Sequence, residues 1–352
     1  MSVPNIQISS LTRIQRRRTL PVPGQVLVRQ GQPVEVKTAI AEAVLEPKHI
    51  LLDIANSLGI SKHKADDLIQ RTSGERINKG DLIAGPVGVL QRVVRAPQNG
   101  EIVMVGEGQV LIEVKQPAQQ IYAGMPGTVV NLIPDRGAVV ETIGAVVQGF
   151  WGNRHSAYGL IQSKVTSPDD VLSPDQLDMS QRGAILLGGH CDDPQVFQKA
   201  TEIPLRGLIL TSMASSLLPL ARKKSFPILV LEGFGRRSLN IMSYNVLTTN
   251  KEREVAVNAE PFNPSEGTRP EVVIPLKADE DRLGESPIGE DIAPGKKVRV
   301  IRAPHAGRIA TVERIFQEPV ELPSGIHADV ALVSFEKDQQ ATVPIANMEV
   351  IL

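Results

Sequence analysis

The sequence predicts a multidomain protein that is mainly β, with a small α/β layer in its middle and a small closed barrel at its C-terminal end. Three observations predict this architecture. Glycines recur at short intervals in the first half, strands alternate with helices in the middle, and the last segment carries a charged and apolar hairpin pattern. A length of 352 residues accommodates two or three such domains.

The bulk composition excludes several classes of protein. Apolar residues make up 41% of the chain and charged residues 22%, which is typical of a folded globular protein. The net charge of −1 gives no whole-chain attraction to DNA or to an anionic membrane. The single cysteine, Cys191, excludes an internal disulfide framework and favours a reducing compartment. We therefore expect a cytoplasmic protein that does not span a membrane.

Residues 1–20 form a basic N-terminal arm. Arg13, Arg16, Arg17 and Arg18 lie close together in it. The composition predicts a solvated, poorly ordered tail, and the alternative is an arm that contacts phosphates.

Residues 21–160 have the pattern of a β-rich domain. Apolar pairs separated by glycines and turns recur around Gly24–Val34, Gly74–Gly85 and Val93–Val103, as expected for short strands that bend between two sheets. This cadence resembles the biotinyl/lipoyl-type barrel-sandwich hybrid. Carrier members of that family have a lysine at a hairpin tip beside Asp or Met. Lys37 and Lys79 lack these neighbours, so we expect no cofactor.

A helical insertion is predicted within this domain, at residues 46–72. Apolar residues recur there at helical spacing from Ile50 to Leu58, Gly59 provides a stop, and Ser61 is a candidate N-cap for a second helix. These helices cover one end of the domain or form a docking knob.

Residues 180–260 are predicted to form a small α/β domain with parallel strands. Apolar strands around Gly183–Gly188, Arg206–Thr211 and Phe226–Leu231 alternate with helical segments. The order resembles the swivelling phosphohistidine domain of PEP-utilising enzymes. That family has a phosphate-accepting histidine where this chain has Met213-Ala-Ser-Ser, so only the fold resemblance is carried over. We assign no catalytic residue.

A candidate anion site is predicted where the parallel strands end. Gly189, Ser212 and Gly235 lie in the three loops that follow these strands, and ligands of parallel sheets bind at that edge. None of the loops matches a Walker or dinucleotide fingerprint, so tight turns chosen for geometry are the alternative. The consecutive residues His190–Asp193 lack the spacing of a metal site, and we predict no metal.

The most specific stretch lies in the last domain, residues 295–352, which follows an acidic, proline-rich linker at 261–294. Gly295–Val312 alternates apolar and charged residues on both sides of a turn at Pro304–Gly307. It resembles the KOW motif of NusG-type transcription factors and ribosomal proteins, which lies in an SH3-like barrel. It departs from the family at Ala310, where a second glycine is often found.

Six candidate cations concentrate in this stretch despite the neutral chain, and we predict that they contact phosphates or a partner. Strand alternation places Arg299 on the face opposite Val298 and Val300. The six are Lys296, Lys297, Arg299, Arg302, His305 and Arg308.

The sequence therefore favours a non-catalytic binding or scaffold protein. Its last barrel would contact RNA or a ribosome- or RNA-polymerase-associated partner. One alternative is an accessory subunit that docks into a multisubunit metabolic enzyme complex. Another is an enzyme that uses the anion site of the α/β loops.

Overall fold

The computed structural model describes residues 4–263, 268–277, 291–335 and 339–352, and these are mostly β. The strands of the first half are β1 (Asn5–Ile6), β2 (Ile8–Thr19), β3 (Gln25–Val26), β4 (Pro33–Val34), β5 (Ala39–Ala43), β6 (Lys48–Asp53), β7 (Arg76–Ile77), β8 (Leu82–Val87), β9 (Arg92–Arg95), β10 (Gly100–Gly106), β11 (Gln109–Val114), β12 (Gln119–Tyr122), β13 (Gly127–Ile133), β14 (Gly137–Gln148), β15 (Trp151–Gly152) and β16 (Ser156–Ser163). The strands of the second half are β17 (Ile185–Cys191), β18 (Gly207–Met213), β19 (Ile228–Val230), β20 (Glu254–Asn258), β21 (Glu271–Pro275), β22 (Lys297–Val300), β23 (Ile309–Ile315), β24 (Val320–Glu321), β25 (His327–Ala328), β26 (Val330–Ser334), β27 (Gln340–Pro344) and β28 (Met348–Ile351).

The helices are short. They are α1 (Ile54–Leu58), α2 (Lys62–Asp66), α3 (Gln195–Glu202), α4 (Leu218–Ala221) and α5 (Ile241–Thr249). Within the described ranges, none is long and apolar enough to cross a bilayer.

One large mixed sheet organises the molecule. Its strand order is β15-β19-β18-β17-β16-β20-β21-β14-β13-β4, and β2 pairs with β14. The strands β16, β17, β18 and β19 are parallel neighbours, so the predicted parallel strands are present. The same sheet continues into antiparallel strands on both sides of the four parallel ones, with β15 beside β19 and β20 beside β16. The α/β segment therefore shares its sheet with the β-rich region.

The N-terminal arm is a strand in this sheet, so the prediction of a poorly ordered tail is wrong. β2 lies antiparallel to β14 from Thr19 opposite Gly137 to Ile8 opposite Val147. Arg16 forms a bidentate ion pair with the buried Glu271, with nitrogen–oxygen distances of 2.7 and 2.6 Å. The strand could not be predicted from the local sequence, because the groups that pair with its arginines lie far away in the chain.

Glu271 itself belongs to β21, which lies within the predicted linker 261–294. Strand β21 is buried in the central sheet between β14 and β20, so that part of the linker prediction is wrong. The apolar run Val272–Ile274 is the physical reason, since it fills the core. Residues 264–267 and 278–290 of the predicted linker lie outside the described residues.

Residues 48–114 pack around a core of their own. The sheet β6-β11-β10-β7, the hairpin β8-β9 and the two helices surround buried apolar residues such as Leu58, Ile83 and Ile102. The predicted helix begins only at Ile54, capped by Asp53, because Lys48–Asp53 pairs with β11 as a strand. Pairing along the whole of β11 outweighs the helical spacing of the apolar residues.

The C-terminal segment forms a sheet of order β1-β28-β22-β23-β26-β27 with an apolar core of its own. Five of its strands come from residues after 295 and run antiparallel in pairs β22-β23, β23-β26, β26-β27 and β22-β28. Strand β1, from the N-terminus, adds to its edge parallel to β28. Both ends of the chain thus meet in this unit.

Candidate functional site

The turn between β22 and β23 brings together three of the predicted cations. Arg302 is exposed, while His305 and Arg308 both lie on the ring of Phe335. The His305 ring centroid is 4.8 Å from that of Phe335, and the Arg308 guanidinium carbon is 4.0 Å from it. Arg308 also donates to Gln339 Oε1 at 2.9 Å. The turn therefore presents two arginines, one of them held in a fixed position.

Backbone geometry closes this turn around Gly307. Its N–H donates to the Val300 carbonyl at 2.7 Å, and its φ of 84° lies in the left-handed region that favours glycine. The Arg308 N–H donates to the His305 carbonyl at 3.1 Å. The turn is hence a defined structure, and it starts immediately after strand β22.

Arg299 does not belong to the exposed cluster, and that part of the site prediction is wrong. It is 3% exposed. Its guanidinium pairs with Glu349 Oε2 at 2.6 Å and with Glu232 Oε2 at 3.3 Å. Alternation along β22 separates Arg299 from its valine neighbours, as predicted, but the outward face is covered by the segment that follows β19. Burial alone would lower the pKa of Arg299, and the two carboxylates outweigh burial and raise it.

The ion pair extends into a buried network. Glu232 Oε1 accepts from the Asn240 backbone N–H at 3.0 Å, and the Asn240 side chain caps α5. Glu349 Oε1 accepts from Arg269 at 3.0 Å. This network connects the C-terminal sheet to the carboxyl end of the parallel strands. Sequence reasoning missed Glu232 and Glu349, since isolated glutamates carry no signal of such a pairing.

Lys296 and Lys297 stand apart from the turn. They precede Val298 at the start of β22, whereas the turn follows its end. A strand advances about 3.3 Å per residue, so about 10 Å separates Lys297 from Val300 along the strand. The predicted six-residue patch therefore divides into a lysine pair and a turn cluster, with the buried Arg299 between them.

The structure places the three anion-site residues in different surroundings. Gly189 lies inside β17, where an added Cβ would be 2.0 Å from the Asp170 carbonyl oxygen. Ser212 is fully buried, and its hydroxyl donates to the Arg237 carbonyl at 3.0 Å. The exposed Gly235 donates its N–H to the Met213 carbonyl at 2.9 Å. Gly189 and Ser212 thus lie within strands and not in loops, so that part of the prediction is wrong, and close backbone packing explains the glycine at position 189.

The residues next to these also have structural roles. His190 Nδ1 lies 2.8 Å from Ser212 Oγ, and burial lowers the pKa of His190. Burial raises the pKa of the Cys191 thiol to about 12, so it stays protonated at neutral pH. Across the described residues, no group of three or more His, Cys, Asp or Glu side chains could hold a metal ion.

A second basic and aromatic segment lies beside the turn, and sequence reasoning missed it. Arg236 and Arg237 follow Phe234 at the carboxyl end of the parallel sheet. The only available signal was the adjacent arginine pair in a loop after an apolar strand.

Comparison with known families identifies one feature. Residues 294–322 match the KOW motif. The match covers β22, the turn, β23 and β24, and so includes all six predicted cations. KOW motifs are common in RNA- and ribosome-associated proteins, which indicates a binding role of that general kind for the C-terminal unit. No curated protein matches the chain.

Proposed function

We propose that this protein is a non-catalytic RNA-binding scaffold whose C-terminal barrel contacts RNA phosphates through the β22–β23 turn. The observation that supports this most is the placement of Arg302 and Arg308 on the turn of a matched KOW motif. An RNA of a ribosome- or RNA-polymerase-associated complex is the partner class that this motif favours.

The turn is suited to binding phosphate because the Arg308 side chain is already held in position before an anion binds. Arginine presents five N–H donors in a rigid fork. Gln339 and the ring of Phe335 fix Arg308, so less side-chain entropy is lost when an anion binds. Arg302 adds a second, exposed charge on the same turn.

The scaffold part of the proposal is supported by the buried network at Arg299. This network joins the barrel to the α/β layer, and β1 joins it to the N-terminal strand. An RNA held by the turn would therefore be held at a fixed orientation to the rest of the molecule. For the rest of the molecule we propose a barrel-sandwich hybrid at residues 21–160 and a swivelling-type α/β domain at residues 180–260.

The test is RNA binding by the full chain in a salt series, by fluorescence anisotropy with a labelled single-stranded oligonucleotide. Binding should weaken as salt rises, because phosphate contacts release counterions. The double variant Arg302→Ala/Arg308→Ala should reduce the salt slope by about 1.4 to 2 units, for two lost contacts. Lys62→Ala/Lys64→Ala on the exposed face of α2 is the matched control and should leave the slope unchanged.

A second candidate function is docking to another protein, and one observation favours it. At the tip of the β8–β9 hairpin, Val89 and Leu90 are 102% and 86% exposed. Large apolar side chains at a protruding tip favour contact with a protein, including a subunit of a multisubunit enzyme complex. Affinity purification from native cells with and without RNase separates the two. A protein that stays bound after RNase and is lost with Val89→Ser/Leu90→Ser supports docking.

A further inference from the structure

The KOW turn lies against the segment that follows strand β19. A Cβ built at Gly307 would be 3.7 Å from the Ser238 carbonyl oxygen. Close by in the chain, Glu232 binds Arg299 at the other end of the contact. The turn and residues 232–238 thus form neighbouring parts of one surface, held by a buried ion pair.

Residues 233–238 are themselves rigidly placed. The Met213 N–H donates to the Gly233 carbonyl at 3.2 Å, and the Gly235 N–H donates back to the Met213 carbonyl at 2.9 Å. Arg237 donates its backbone N–H to Ser212 Oγ and its Nε–H to the Phe234 carbonyl. Arg236 is exposed. An exposed arginine, Arg236, and a half-buried one, Arg237, therefore lie next to the turn, at the end of the parallel sheet.

An aromatic group adjoins these arginines. Phe150 and Phe234 pack edge to face with centroids 5.8 Å apart, and Trp151 lies 6.0 Å from Phe234. Phe150 is 47% exposed, although the chain has only seven phenylalanines and one tryptophan. A Cβ at Gly233 would lie 3.4 Å from the Phe150 ring. An exposed aromatic ring is a surface on which a base can stack, and contact with Phe234 holds the Phe150 ring in place.

We propose that Phe150, Phe234, Arg236 and Arg237 form an extended strip that continues the RNA contact of the KOW turn, and that the strip binds single-stranded RNA. Phosphates would contact the arginines and one unpaired base would stack on Phe150. This rests on the proposed function of the turn. A duplex keeps its bases stacked on one another, so only a single strand can use the ring.

Two acidic residues flank the strip and shape the expected energetics. Asp169 accepts a hydrogen bond from Ser238 Oγ, and Asp192 lies 3.9 Å from His190 Nε2. They reduce the net positive charge of the surface. Stacking must then supply a share of the affinity, in contrast to a purely electrostatic groove.

The experiment compares the full-length protein and its variants on a fluorescently labelled 12-nucleotide oligoadenylate and on an RNA duplex of the same length, across salt. Phe150→Ala should weaken binding of the single strand about 5- to 150-fold without changing the salt slope, and Phe150→Tyr should restore it. Arg236→Ala should reduce the slope by about 0.7, and Arg236→Ala/Arg237→Ala by about 1.4. Lys62→Ala/Lys64→Ala controls for lost charge.

The outcomes separate this inference from the function on which it rests. If Arg302→Ala/Arg308→Ala weakens binding while Phe150→Ala and Arg236→Ala bind as the wild type does, the strip is wrong and the turn site stands. If the wild type binds the duplex as tightly as the single strand, the stacking role is overturned. If the wild type binds no RNA at low salt, the proposed function fails and the strip with it.

Discussion

Replacing Arg299 by methionine tests the buried junction between the C-terminal sheet and the parallel strands. Methionine has a similar length and no charge, so it keeps most of the packing volume. The variant would lose the ion pairs with Glu349 at 2.6 Å and with Glu232 at 3.3 Å. Both glutamate side chains are buried, at 7% and 1% exposure. The variant therefore leaves buried negative charge without its main partner.

The expected loss of folding free energy depends on the hydrogen-bond and ion-pair partners that each glutamate retains in the variant. Glu349 keeps Arg269 at 3.0 Å, whereas Glu232 keeps hydrogen bonds from Asn240. Removing one member of a buried ion pair costs about 3–5 kcal/mol of folding free energy. Because Arg269 still compensates Glu349, we expect Arg299→Met to lie near 3 kcal/mol, the lower end of this range. Arg299→Met/Glu232→Gln removes the orphaned charge and should recover part of that loss.

The assay is equilibrium urea unfolding, followed by circular dichroism and by the fluorescence of Trp151. Arg302→Met is the matched control, and as an exposed change it should alter stability by no more than about 0.5 kcal/mol. A cost for Arg299→Met as small as that of the control would refute the buried network. So would a double variant less stable than the single one.

Three further predictions concern other groups. Hydrogen bonds from the Ser167 side chain and the Thr166 backbone lower the pKa of Asp170 from 3.8 to about 2. The ionised Asp170 therefore stabilises the fold above about pH 4, and this stabilisation is lost as pH falls towards 2. The difference in unfolding free energy between the wild type and Asp170→Asn should narrow over that pH window. A difference that stays constant would contradict this. Cys191 should react with a thiol reagent such as DTNB only after unfolding, because its buried thiol has a pKa near 12, and fast labelling of the native protein would contradict the structure. The intact mass of the native protein should equal that of the unmodified chain, and a lipoyl or biotinyl increment at Lys37 or Lys79 would overturn the expectation that the chain has no carrier lysine.

The parallel strands and the KOW hairpin could be predicted from local sequence patterns. The apolar runs of β17, β18 and β19 identified a parallel layer, because strands buried on both faces are apolar throughout. The charged and apolar hairpin of the KOW segment was also visible. In both cases the residues that decide the structure are close together in the chain.

The missed features depend on partners that are distant in sequence. Alternation along β22 correctly separated Arg299 from the valines, but it could not show that another segment covers the outer face. Strand β2 could not be predicted locally, because the ion-pair partner of Arg16 is Glu271, 255 positions away. The juxtaposition of Gly307 with Ser238 likewise arises only from the tertiary fold.

The salt dependence of RNA affinity for the wild type and for Arg302→Ala/Arg308→Ala tests whether the β22–β23 turn binds RNA phosphates. We expect binding at low salt, a linear fall of log K with log salt, and a slope smaller by about 1.4 to 2 units in the variant. Equal slopes for the two proteins, or no binding by the wild type at low salt, would contradict phosphate binding by the turn.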